Sequence, residues 1–146
     1  MKLLRATLDD LETIVPLFDG YRVFYKQESN LDVARKFVRE RLVKKDSVIF
    51  LVVSEDGEGM GFTQLYPSFS SVSMQRVFIL NDLFVSNAFR GRGIGEALLE
   101  HAQVFARNEG SRGLTLETAV DNPAQRLYER LGWKKDDAVF HYTWEI

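Results

Sequence analysis

The sequence predicts a mixed α+β fold: a mostly antiparallel, twisted sheet of about six to seven strands with about four flanking helices. Three observations carry that expectation. Apolar residues recur at helical spacing in four segments, and short β-branched or alternating runs lie between them. Two of those runs are joined by a tight turn, giving an antiparallel middle. A late strand–helix–strand succession supplies a crossover.

Taken in order, Leu3 to Ala6 is a short first strand. Thr7 with Asp10 three residues on forms an N-terminal capping pattern. A helix follows through Leu11, Ile14, Val15 and Phe18 toward Tyr21 and Tyr25, with a kink expected at Pro16. A second helix starts near Asn30 and places Val33, Phe37, Val38 and Leu42 on one face. Ser47 to Ser54 and Met60 to Tyr66 read as a hairpin around an Asp-Gly turn. Ser68 to Ser73 reads as a polar loop. Arg76 to Val85 is a long strand with two polar residues, Asn81 and Asp82, near its middle. A glycine-rich turn, Arg90-Gly91-Arg92-Gly93-Ile94-Gly95, leads into an amphipathic helix through Leu98, Ala102 and Phe105. Leu114 to Val120 is the next strand, Asn122-Pro123 opens a short helix, and Gly132 ends it. Val139 to Ile146 alternates and reads as a final strand, with one more short strand at Trp133 to Lys135 as an option.

Composition bounds the chemistry. The 146 residues suit one domain spanning 1–146. Nineteen basic and twenty-one acidic residues give a net charge of −2, with no basic run, so a phosphate-tracking nucleic-acid surface has no support. No apolar stretch approaches the ~20 residues that span a bilayer, so no membrane partner is expected. Cysteine is absent, which removes thiolate catalysis and zinc–thiolate sites and fits a cytoplasmic protein. With only His101 and His141, no metal centre is expected; both histidines read as structural or surface residues.

The informative unit is strand, glycine-rich turn, helix. Glycines allow a tight turn and a close approach to a ligand. The helix N-terminus then offers free N–H groups and partial positive charge to a pyrophosphate. No Gly-Lys-Ser/Thr follows, so this is not a P-loop, and Gly95 falls one place early for a dinucleotide fingerprint.

Together with the downstream segment, the turn makes the chain resemble the GNAT superfamily of N-acetyltransferases. Arg90 to Gly95 is similar to its Arg/Gln-x-x-Gly-x-Gly/Ala loop. Ala124, Leu127, Tyr128, Gly132 and Trp133 are similar to its Ala-x-x-Leu-Tyr-x-x-x-Gly-aromatic segment. Tyr21 to Gln27 and Asn81 to Val85 look most like the yeast histone, polyamine and D-amino-acid acetyltransferase branch. The chain departs from the family in carrying Asp121 seven residues before Tyr128, with Asn122 one place later, where a helix-capping role competes with a cofactor contact.

The resemblance implies acetyl transfer from acetyl-CoA to a primary amine by direct attack. The acceptor would be a polyamine, an amino acid or another small amine, with a protein lysine as a further option. It implies that Leu83, Phe84 and Val85 hold the pantetheine arm and that Arg90, Gly91, Arg92, Gly93, Ile94 and Gly95 hold the pyrophosphate. It makes Tyr128 the general acid, against a packing role on its helix. Asp82 is the first candidate for base or amine anchor, since a carboxylate in an apolar strand is costly to bury unpaired; the alternative is an Asp facing solvent. Glu117 is the second candidate. Tyr21, Tyr25 and Tyr66 are candidates for the acceptor pocket, against a core role. A homodimer is expected from the resemblance, with Phe140, Tyr142 and Trp144 serving core or interface. The competing function is a non-catalytic acyl-CoA-binding module.

Overall fold

A computed structural model describes residues 1–146. β1 (Lys2–Arg5) leads through a 3-10 turn into α1 (Leu11–Phe24) and α2 (Leu31–Lys44). Then come β2 (Val48–Val53), β3 (Gly59–Ser70) and β4 (Gln75–Val85). A second 3-10 turn precedes α3 (Ile94–Asn108), β5 (Leu114–Thr115) and α4 (Gln125–Arg130). The sheet has five strands in the order β1-β2-β3-β4-β5, antiparallel throughout except for the parallel β4–β5 pair. No helix is long and apolar enough to cross a membrane.

The sheet separates two cores. β2 is buried on both faces because its apolar run is continuous: Val48, Phe50 and Val52 point one way, Ile49 and Leu51 the other. The first set packs with Leu98, Leu99 and Ala102 of α3. The second packs with Ile14 and Phe18 of α1 and Val38 of α2. Phe50 is fully buried, and its removal would cost about 3–5 kcal/mol. Asp19, also buried, pins the α1–α2 connection by accepting from the Ser29 hydroxyl (2.6 Å) and the Asn30 amide (2.8 Å).

Several expectations are corrected. The strand count is five rather than six or seven. β3 continues through Pro67 and Ser68 to Ser70, so most of the expected polar loop is strand; its register with Phe78, Val77 and Arg76 of β4 is unbroken. α1 itself lies where it was expected, from Leu11 to Phe24, with Pro16 inside the helix on its exposed side. α2 buries Ala34 and Val38, whereas Val33 stays exposed and Phe37 reaches the core only by stacking on Phe18 at 5.5 Å. The fifth strand is two residues long, because β5 leaves β4 after Thr115. Trp133 to Lys135 and Val139 to Ile146 form no strand: the alternation is there, but no neighbouring strand edge is engaged.

The consequential detail is a β-bulge. Gln64 pairs with Asp82 and Leu65 with Leu80, so Asn81 is an inserted residue in β4. One extra residue reverses which face the strand presents. Phe78 and Leu80 point to the α3 side, Asp82 and Phe84 to the α1 side, and Leu83 and Val85 to the α3 side again.

Candidate active site

A cavity of about 410 Å³ opens where β4 and β5 part. That volume is within the range of small-molecule sites. β4 meets β5 only at Phe78–Leu114 and Ile79–Thr115. From Leu80 onward its outer edge has no strand partner, so backbone N–H and C=O groups face the cavity. Leu83, Phe84 and Val85 lie on this wall.

The glycine-rich turn forms one end. Gly91 (φ 76°) and Gly93 (φ 77°) adopt the left-handed conformation, and the space where a Cβ would project is open. Gly93 is the N-cap of α3 and supplies no side chain, so the first amides of the helix stay available. Arg90 donates from Nε to the Val85 carbonyl at 3.1 Å and lies over the rings of Phe24 and Phe84. Arg90, Gly91, Gly93, Ile94 and Gly95 all line the cavity. Arg92 does not; it is exposed and sits over Phe89. This cradle fits an acyl-CoA pyrophosphate: an uncapped fifteen-residue helix, open glycines and a fixed guanidinium converge on one end of a long apolar cleft.

α4 supplies the opposite wall. Asn122 accepts from the Ala124 amide at 2.9 Å, so its side chain serves the turn before α4 while the residue also lines the cavity. The helix itself starts at Gln125, later than Asn122-Pro123 suggested. Tyr128 is 9% exposed, lines the cavity, and its hydroxyl makes no hydrogen bond to the protein. Burial, with a smaller contribution from Tyr25, pushes that hydroxyl up to about 12. It therefore stays protonated, and available to donate, throughout the neutral range.

The acidic candidates separate. Asp82 is 1% exposed and lies off the cavity wall, behind Asn81. It is neither solvent-facing nor unpaired: it accepts from Gln64 Nε2 at 2.6 Å and Asn81 Nδ2 at 2.7 Å. Burial raises its carboxyl above the ordinary range, while the hydrogen bonds from Asn81 and Gln64 oppose the rise. Glu117 does line the cavity, with its carboxylate 3.3 Å from His141 Nδ1. A second wall carboxylate, Glu96, is held in a two-pronged pair by Arg130 at 3.0 and 3.1 Å.

Of the three aromatic candidates, Tyr25 lines the cavity. Tyr21 lies behind the wall, donates to the Asn81 carbonyl at 3.1 Å, and has its hydroxyl raised by burial and by Asp82. Tyr66 is also off the wall, pushed up to about 12 by burial and by Asp82. Sequence reasoning missed Phe24, Leu80, Phe89 and the Glu96–Arg130 pair. It also gave Asn81 no role, although a polar pair inside an apolar strand was the available signal for a bulge.

A glycine-rich turn at a helix N-terminus, a strand edge freed of its partner and an unpartnered tyrosine hydroxyl meet on one cleft. Residues 11–133 match the family model described as "Acetyltransferase (GNAT) family". The chain belongs to this family and is an acetyltransferase enzyme; acetyltransferases of this family use acetyl-CoA. It is 47% identical over 147 residues to the "Uncharacterized N-acetyltransferase YhfO" of Bacillus subtilis, covering 100% of this chain and 98% of that one. It is 42% identical over 102 residues to the streptothricin acetyltransferase of Streptomyces lavendulae, covering 67% of this chain and 52% of that one. The crystal structure of a probable acetyltransferase superposes with a TM-score of 0.93 at 41% identity, covering 100% of this chain and 98% of that one.

Proposed function

We propose that this enzyme, acting as one domain in the cytoplasm, moves the acetyl group of acetyl-CoA to the primary amine of a small molecule by direct attack. The observation that carries the reading is the meeting, in one cavity, of the Gly91–Gly93 turn, the unpaired edge of β4 and the unpartnered Tyr128 hydroxyl. The likeness of Tyr21 to Gln27 and Asn81 to Val85 to the yeast histone, polyamine and D-amino-acid acetyltransferases puts polyamines and amino acids first among acceptors. Aminoglycosides come next, since relatives include aminoglycoside N(6')-acetyltransferases.

The chemistry assigns the residues. An alkylammonium with a pKa near ~10 must lose a proton before its nitrogen can attack the thioester carbonyl. Glu117 is the wall carboxylate not committed to a protein guanidinium, so it anchors the cation and takes that proton, directly or through water. Backbone N–H groups on the free edge of β4 stabilise the oxyanion of the tetrahedral intermediate. As the C–S bond breaks, Tyr128 donates its proton to the coenzyme A thiolate and regains one from the nitrogen, which sheds its second proton as the amide forms, so that the proton taken by Glu117 is the one released to water. Asp82 acts from behind, holding Asn81 in place, and Tyr25 lines the acceptor end.

The test is CoA release from acetyl-CoA against polyamines, amino acids, aminoglycosides and a lysine-rich peptide. Turnover with one amine class is the expected result. Tight acetyl-CoA binding with no turnover on any acceptor would instead favour the acyl-CoA-binding module.

A further inference from the structure

Asn81, the inserted residue of the β4 bulge, is held from several sides. In a regular strand neighbouring side chains point to opposite faces, so the hydrogen bond from Asn81 Nδ2 to Asp82 Oδ1 at 2.7 Å depends on the bulge. The main chain is fixed as well. The Tyr21 hydroxyl of α1 donates to the Asn81 carbonyl at 3.1 Å, and the Thr63 hydroxyl of β3 donates to the Asp82 carbonyl at 2.8 Å. Behind the wall the hydrogen bonds continue. Gln64 Nε2 donates to Asp82 Oδ2 at 2.6 Å, and the Ser47 hydroxyl donates to Gln64 Oε1 at 2.9 Å. Thr63, Gln64 and Asp82 are all buried.

This network decides the orientation of one amide. A carboxylate only accepts, so Asn81 turns its nitrogen toward Asp82 and its oxygen away. Gln64 is oriented in the same way, but its oxygen is engaged by Ser47. No protein donor reaches Asn81 Oδ1. Asn81 lines the cavity, whereas Asp82, Gln64 and Ser47 do not. A satisfied polar chain behind the wall thus ends at the cavity in one unpaired acceptor atom.

We propose that Asn81 Oδ1 receives an N–H of the attacking amine, and that Asp82, backed by Gln64 and Ser47, is the positioning residue that keeps oxygen rather than nitrogen toward the cavity. The proposal rests on the acetyl-transfer reading of this cleft. A primary ammonium has more than one hydrogen to give. Glu117 takes one as a proton before attack. Asn81 accepts from the hydrogen that stays on nitrogen in the amide product, so the lone pair is left free for the thioester carbonyl. A carboxamide suits this task because its oxygen accepts a hydrogen bond without taking the proton. An amide turned the other way would set its own N–H against the N–H of the amine, which costs affinity for the amine and leaves acetyl-CoA binding alone.

The experiment is steady-state kinetics with the best amine of the acceptor panel, reading KM for the amine apart from kcat and from KM for acetyl-CoA. In Asp82→Asn the new amide keeps its oxygen on Gln64 and turns its nitrogen to Asn81, which reverses the Asn81 amide. The amine KM should rise about tenfold or more while the acetyl-CoA KM holds. Asn81→Ala, at an exposed position, should raise it similarly by deleting the oxygen. The exchange Asn81→Asp with Asp82→Asn puts an acceptor oxygen back at the cavity and should recover most of the amine KM, a pattern that a packing role for Asp82 would not follow. Circular dichroism checks that each variant is folded; should Asp82→Asn alone not fold, Asn81→Ala and the exchange carry the test. An amine KM unchanged in Asn81→Ala, an acetyl-CoA KM that rises in step with it, or an exchange variant no better than Asn81→Ala would overturn the proposal and leave the acetyl-transfer reading standing. A wild-type enzyme silent with every amine would overturn both.

Discussion

The two edges of β4 behave differently. Toward β3 it pairs from Gln75 to Val85, interrupted only by the bulge at Asn81; toward β5 it pairs at Phe78 and Ile79 and then stands free. The closed edge is packed to contact: a Cβ on Gly61 would lie 2.9 Å from the Phe84 carbonyl oxygen. The open edge leads to the Gly91 and Gly93 turn, where an added Cβ would meet nothing within 4 Å. One strand thus serves as scaffold on one side and as cavity wall on the other. Rigidity on the closed side lets the open side keep backbone groups unpaired without collapsing.

If that division is right, substitutions on the two edges should separate catalysis from stability. The largest effect is expected at the open side. Tyr128→Phe should lower kcat by about 10²-fold or more while melting temperature and acetyl-CoA affinity stay near wild type, since the hydroxyl has no protein partner. Wild-type kcat in this variant would remove Tyr128 as the acid. On the closed side, Gly61→Ala should cost about 1–3 kcal/mol in urea unfolding, because the contact is with backbone that cannot rotate away. An unchanged midpoint there would show that the β3–β4 edge is looser than its geometry implies.

Gly93→Ala sharpens the contrast. It meets no clash, so its stability cost is the left-handed conformation alone, roughly 1–2 kcal/mol, and its further effect should be weaker acetyl-CoA binding by calorimetry. Unaltered affinity would place the pyrophosphate elsewhere.

Asp82→Asn gives a smaller, pH-shaped effect. Burial raises this carboxyl in the folded state above its unfolded value of about 3.9. Just above that value the folded chain retains a proton that the unfolded chain has lost. Stability from this group therefore falls as pH rises through the window and levels off above the folded pKa. The carboxamide does not titrate, so the stability difference between wild type and Asp82→Asn should shrink as pH rises from about 4. Parallel curves would contradict the burial effect. Least of all should come from Glu12→Gln, far from both edges. Glu12 is held below the ordinary range by hydrogen bonds from Arg35, yet the pair is exposed, and thermal unfolding at neutral pH should hardly change.

How much of this was legible before the fold was known differs by residue. The Arg90 to Gly95 segment was readable as a turn into a helix because its signals are local, glycine conformation and helix start, whereas Tyr128 reads by itself as a packing tyrosine and was singled out only through the resemblance. Asp82 was singled out correctly as unusual, but its surroundings were not readable. Alternation alone places it on the same face as Phe78 and Leu80, and the inserted Asn81 reverses that. Arg92 was grouped with Arg90 on charge, yet adjacent residues in a turn point apart, and only Arg90 reaches the cavity.

The sequence by itself determined the four helices, the antiparallel middle of the sheet and the chemistry of the loop. Those depend on propensity, periodicity and backbone conformation, which short stretches of chain carry on their own. Only the tertiary structure decided where β5 parts from β4, which face Asp82 takes and that Val139 to Ile146 finds no strand partner within its own chain. A strand is completed by a neighbour distant in sequence, and alternation states only that one face must be covered, not by what.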